Sequence, residues 1–157
     1  MAMLVAEREN VRHALRVIAV GGSTYEHEAL LKRQSGLERF ASISGPGAAA
    51  WTIGQIFADP AAHNCRFSLP VASVRLVLAP REEELSASSD MANWYNALPQ
   101  GAQNACFETV HEELNGWRDD ASSHRDNLTV FYFSGHGFGY RSSARLLFQD
   151  FLFDRTT

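Results

Sequence analysis

The run Leu128-Thr129-Val130-Phe131-Tyr132-Phe133 carries no charge, and Ser134-Gly135-His136-Gly137 follows it directly. β-Branched and aromatic residues dominate the run, without the polar alternation of a strand that has one wetted face. It therefore predicts a central strand covered on both faces of a sheet. Two similar runs precede it: Leu15 to Val20 (LRVIAV), broken at once by Gly21-Gly22-Ser23, and Val74 to Ala79 (VRLVLA), closed by Pro80. Each reads as a short buried strand. After it, Ala144 to Phe153 is apolar enough to supply a fourth strand around Leu146 to Phe148.

Helical patterns lie between these runs. Ala48 to Phe57 combines alanines with Trp51, Ile53, Ile56 and Phe57 and is stopped by Asp59-Pro60. Asp90 is placed to cap a short helix through Leu98, and a longer helix is predicted from Asn104 to Trp117. In the latter, Phe107, Val110, Leu114 and Trp117 recur at helical spacing and form one apolar face, leaving Glu108, Glu112 and Glu113 in water. Asp119, Asp120 and the polar stretch to Asp126 read as a loop. Thr24 to Gly47 reads as a long loop with one helical turn at Glu28 to Arg33.

Strand, helix, strand, helix, strand is the order of an α/β domain with a mainly parallel sheet and right-handed crossovers. The expectation is a single domain over 1–157 with its core at about 13–153. Chemistry in such sheets gathers beyond the carboxyl ends of the strands, which singles out the loops Gly21 to Tyr25 and Ser134 to Tyr140.

The bulk composition is that of a globular chain: 45% hydrophobic, 20% charged, net charge -4. No basic run interleaves with aromatics, so nucleic acid is not an expected partner. No apolar stretch is long enough for a membrane span, and acids follow the N-terminus too closely for a secretory signal, so the expected setting is cytoplasmic, without a membrane partner. Two cysteines, Cys65 and Cys106, make neither a disulfide framework nor a zinc pattern, and no metal or cofactor is expected.

His136 stands where the strongest strand runs out, between two glycines that let a substrate approach the main chain. An imidazole is the natural side chain for moving a proton at neutral pH. The other chemistry-bearing groups read as ordinary structure. Gly21-Gly22-Ser23-Thr24 lacks both the dinucleotide glycine pattern and a P-loop lysine, so a strand-to-loop turn outweighs a phosphate cradle. His111-Glu112-Glu113-Leu114-Asn115 has Asn where a zinc-peptidase helix needs its second His. Arg81-Glu82-Glu83-Glu84 reads as a solvated loop or helix start, and Asp150 and Asp154 as solvated strand ends. Cys106 reads as a buried thiol on the apolar flank of its helix.

The segment from Asn127 through Ser134-Gly135-His136-Gly137 to Gly139 resembles the histidine motif of caspases, metacaspases and related caspase-like peptidases. RVIAVGGSTYE at 16–26 is similar to that family's first strand and loop, GPGAAAWTIGQIF at 45–57 to its first helix, and NACFETVHEELNGWRDD at 104–120 to the helix before the histidine strand. The resemblance implies a caspase-like sandwich, a mainly parallel central sheet flanked by helices, incomplete in this chain. It implies that His136 polarises the scissile carbonyl or relays a proton, that the Gly137 amide helps hold the oxyanion, and that Ser134 lines the pocket for the residue preceding the cut. Where metacaspases carry an acid near the start of the first helix, this chain has Ala48-Ala49-Ala50.

The family's nucleophile is a cysteine that the caspase pattern places roughly 50 residues after the histidine. No cysteine follows His136 here. The resulting expectation is a cysteine-type endopeptidase in which this chain supplies the histidine and a complementary fragment or chain supplies the thiol, acting on a peptide or protein. The alternatives are a pseudo-peptidase used as a binding or scaffolding module, and a nucleotide-binding α/β enzyme in which the Gly21 loop and His136 share a crevice. A last strand with an open edge would invite pairing with another chain.

Overall fold

The computed structural model describes residues 3–5, 13–27, 33, 42–140 and 143–151. Strands β1 (Met3–Val5), β2 (Leu15–Gly22), β3 (Val71–Ala79) and β4 (Leu128–Ser134) form one sheet in the order β1-β3-β2-β4. β2 runs parallel to β3 and β4, with Val17 facing Val74 on one side and Val130 on the other, and β1 pairs antiparallel with β3. The helices are α1 (Pro46–Ala58), α2 (Glu82–Ala87), α3 (Ser89–Asn96) and α4 (Phe107–Ser122). β5 (Gly137–Tyr140) and β6 (Ser143–Leu146) make a separate antiparallel hairpin. Among the described residues, no helix is long and apolar enough to cross a membrane.

Strand alternation sorts the core into two layers. Ile18, Val20, Val77 and Ala79 pack with Val110, Leu114 and Trp117 of α4 on one face. Ala19, Leu76 and Leu78 pack with Ala50 and Trp51 of α1 and Met91 of α3 on the other. A right-handed crossover that moves toward β3 and a second that returns past β2 to β4 put α1 and α4 on opposite faces, while α3 of the second connection packs beside α1. The expected α/β architecture, a mainly parallel sheet flanked by helices, is thus the one found. α1 approaches closely because Gly21 lies beneath it: a Cβ at Gly21 would stand 2.6 Å from the Pro46 carbonyl oxygen and 2.8 Å from the Ala50 Cβ.

Several expectations are corrected. β4 is an edge strand among the described residues, and the fully buried centre is β2 and most of β3. Leu128 and Phe131 are 54% and 43% exposed. An apolar run reports what lies above and below a strand, and Tyr132 and Phe133 do meet the two helical layers; it does not report neighbours along the hydrogen-bonding direction. The apolar stretch after His136 does not join the main sheet: Ser143–Leu146 folds back on Gly137–Tyr140, a pairing that needs only a short connection. Among the described residues the main sheet has its open edges at β1 and β4, and the last strand, β6, is paired on one side only.

α3 is capped by Ser88, whose hydroxyl accepts the Met91 amide, and not by Asp90. α4 starts later than expected and runs on through Asp119 and Asp120 to Ser122. Phe107 is 46% exposed, while Glu113 is buried. The burial of Glu113 traces to Arg75, which points from β3 into the α4 layer and donates to Glu113 Oε2 and Asp120 Oδ2, each at 2.8 Å. Burial works against the Arg75 charge, but the two carboxylates outweigh it and raise its pKa. A buried cation needs such partners, and only the α4 face can supply them. The turn expected at Glu28 to Arg33 lies outside the described residues except for Arg33 itself.

Candidate functional site

The chain leaves β2 toward β3 and then crosses back to β4, so strand order reverses beside β2. The crevice outside the carboxyl ends of β2 and β4 is the switch point where open α/β sheets hold their ligands. Gly21 and Ser134 are register partners there, and the two loops singled out by the sequence meet. Tyr25 is buried, and its hydroxyl accepts the His136 amide at 2.9 Å while donating to the Gly22 carbonyl at 3.3 Å. Its ring lies 5.3 Å from the imidazole. The His136 carbonyl accepts the Leu147 amide at 2.9 Å, so the residue is held through its backbone on both sides.

Gly135, with φ +156°, lets the chain leave β4 and turn into the hairpin; a Cβ there would stand 3.0 Å from Phe133 Cζ and 3.3 Å from the Gly22 oxygen. Burial raises the Tyr25 pKa above its ordinary value, opposed by the hydrogen bond from the His136 amide. A neutral phenol can donate and accept at once, which is the role it fills here. The sequence contained no signal for Tyr25, an ordinary aromatic in a loop.

Ser134, His136 and Gly137 sit at the same end of the sheet: Ser134 closes β4, Gly137 opens β5 opposite Leu146, and the half-buried His136 joins them. The cysteines are placed differently. Cys65 lies in the loop between α1 and β3, at the amino end of the sheet, with Sγ 3.4 Å from the His63 carbonyl oxygen. Cys106 directly precedes α4 at the carboxyl end, half-buried and not a core thiol, and its Sγ meets Thr109 Oγ1 at 3.3 Å. The segment Leu147 to Asp150 bonds to His136 at one end and to Ala105 and Phe107 at the other. Asp150 is not merely a solvated end, since its carboxylate accepts the Phe107 amide at 2.8 Å. Asp154 is outside the described residues.

The start of α1 offers nothing to a phosphate. Ser23 Oγ accepts the Gly47 amide at 2.8 Å, and Glu84 Oε1 accepts those of Gly45 and Ala48 at 3.0 and 2.9 Å. A buried carboxylate already occupies the anion position, which weighs against the nucleotide-binding reading. Glu84 was lost to sequence reasoning inside a charge run. Its position three residues after the N-cap Arg81, whose amide its Oε2 accepts at 2.8 Å, was the available signal. In the His111 segment, Asn115 Nδ2 is 3.3 Å from His111 Nε2, and Glu113 is committed to Arg75.

Two cavities flank these elements. A polar one of about 620 Å³ lies on the β3 side, with Thr24, Ser42, Arg81 and Glu83 in its lining. An apolar one of about 490 Å³ includes Phe107, Leu146, Phe148 and Phe151 and adjoins the hairpin.

No protein-family model, curated protein or solved structure matches the chain. The functional reading of the Ser134 to Gly137 segment rests on its residues and their geometry.

Proposed function

We propose that this chain is the histidine-bearing part of a caspase-like cysteine endopeptidase acting on a peptide or protein, with a nucleophilic cysteine from outside it. The observation that supports this is the placement of His136: at the switch point, after the Ser134-Gly135 step, with both its amide and its carbonyl tied down. A catalytic imidazole must be held in place, and these two hydrogen bonds fix the backbone that carries it.

In the proposed reaction a thiolate attacks the scissile carbonyl carbon, forming a C–S bond, and the developing oxyanion is received by the Gly137 amide. His136, which took the thiol proton as the thiolate formed, passes it to the departing amine as the C–N bond breaks. It then takes a proton from the water that hydrolyses the thioester, releasing the acid and regenerating the thiol. Ser134 lines the pocket for the residue before the cut. The chemistry calls for no cofactor, metal, nucleic acid or membrane partner, and a reduced thiol fits a cytoplasmic setting. The outer edge of β4, with Leu128 and Phe131 exposed beside it, suits the complementary Cys-bearing fragment or chain, which would add the next strand.

The test is peptide cleavage by the complete enzyme, either the full reading frame or this chain with its Cys-bearing partner. His136→Ala is expected to lower kcat by at least about 10²–10⁴-fold with the circular dichroism unchanged. Undiminished cleavage refutes the assignment. The positions of Cys65 and Cys106 favour one second reading, a pseudo-peptidase that keeps the scaffold for binding. In that case no thiol in the complete protein would react with a peptidyl chloromethyl ketone in a His136-dependent way.

A further inference from the structure

At the opposite end of the sheet, His13 comes together with two side chains distant from it in sequence. His13 directly precedes β2, while His124 and Asp126 lie in the turn between α4 and β4. One ligand atom from each of the three lies within 4.8 Å of the others. Asp126 Oδ2 is 3.4 Å from His13 Nδ1 and 3.8 Å from His124 Nδ1, and the two imidazoles stand edge to face with centroids 4.4 Å apart. We propose that His13, His124 and Asp126 form a binding site for a divalent transition ion of the zinc class.

The spacing is that of a ligand set. Nitrogen and oxygen donors bound tetrahedrally to zinc at about 2.0–2.1 Å stand about 3.3–3.4 Å from one another. Of the three donor pairs, His13–Asp126 is already there, His124–Asp126 needs to close by a few tenths of an ångström, and the two imidazole nitrogens, within 4.8 Å, would draw in as the rings turn toward the ion. Two imidazoles with one carboxylate select zinc, cobalt or nickel over calcium and magnesium, which take oxygen ligands. The other carboxylate oxygen, Oδ1, faces Arg125 Nε at 3.5 Å, so Oδ2 is the one turned toward both rings. His124 Nδ1 also accepts the Asp126 amide at 3.2 Å, a bond that coordination through that nitrogen would replace.

The platform beneath the cluster is rigid. Asn127 Oδ1 accepts the Ala14 amide at 3.0 Å, and the Ala14 carbonyl accepts the Leu128 amide at 3.0 Å. Asn127 Nδ2 in turn donates to the Asp120 and Ala121 carbonyls and to Ser123 Oγ. The residues adjoining His13 and Asp126 are thus tied together across the start of the sheet. His13 itself has φ 62°, a left-handed conformation rare for a residue with a Cβ and concentrated at functional sites. Its side chain is 50% exposed, so water or a partner's side chain can complete the coordination. An ion here would clip β2 to the turn before β4, remote from His136 and independent of its role.

Titration of the chelator-treated chain with Zn²⁺ at pH 7.5 tests the site. One ion per chain is expected, with a rise in Tm that Mg²⁺ does not produce. Binding should weaken in acid, where protons compete with the ion for its ligands. His13→Ala, His124→Ala and the shape-conserving Asp126→Asn should each lower the affinity by about tenfold or more. Co²⁺ should give visible d–d bands without a thiolate-to-cobalt charge-transfer band. Undiminished affinity in a folded His13→Ala/His124→Ala double variant, a charge-transfer band that moves the ion to cysteine, or no saturable Zn²⁺ binding would each overturn the proposal.

Discussion

Tyr25→Phe separates the packing of the Tyr25 ring from the hydrogen bonds of its hydroxyl. The buried ring stays beside Leu147, so little apolar burial is lost. What disappears is the acceptor for the His136 amide at 2.9 Å and the donor to the Gly22 carbonyl at 3.3 Å. The first is the shorter of the two. Leaving a part-buried donor unsatisfied costs up to about 1–3 kcal/mol, which for a chain of this size lowers Tm by up to about 3–9 °C. The urea midpoint should fall at constant m, and exchange of the His136 amide should accelerate.

The same phenol predicts a pH dependence. Because burial raises the Tyr25 pKa in the folded state, the folded protein holds this proton more tightly than the unfolded chain. The contribution is complete below the unfolded tyrosine value of about 10 and is lost as pH rises through the higher folded value. The variant should lack this part of the alkaline decline and retain the part due to Tyr95, whose pKa burial also raises. An unchanged urea midpoint together with unchanged His136 amide exchange would refute the view that this hydroxyl holds the histidine loop.

Arg75→Met leaves Glu113 and Asp120 facing each other in a buried layer, and breaking a buried ion pair in this way costs about 3–5 kcal/mol. Adding Glu113→Gln and Asp120→Asn should recover much of that in urea unfolding, and a loss below about 1 kcal/mol in the single variant would show the network to be solvated. Gly21→Ala forces a Cβ against the Pro46 carbonyl and Ala50, an overpacking expected to cost about 1–3 kcal/mol; an unchanged melting curve would mean that α1 slides freely on the sheet. Leu128→Thr, on the exposed edge, should change stability by no more than about 0.5 kcal/mol. A larger loss that grows with protein concentration would show that β4 is covered by another copy.

The sequence by itself determined what depends on neighbours in the chain. Short β-branched apolar runs located β2, β3 and β4, alanine-rich and aromatic composition located α1, and helical spacing located α4, because burial is written into the local pattern of the chain. Glycine and proline marked the loops after β2 and β3, and the step from an apolar strand into Ser134-Gly135-His136 placed the histidine at a strand's carboxyl end. Tertiary structure alone decided which strand lies at the edge, because the run 128–133 would look the same with one paired neighbour or two. It also decided the fate of the charges. Glu84, Glu113 and Asp120 read as solvated until α1 and Arg75 were brought against them. Tyr25 meets His136 and His13 meets His124 for the same reason: parallel strands with long crossovers join residues that no local pattern can connect.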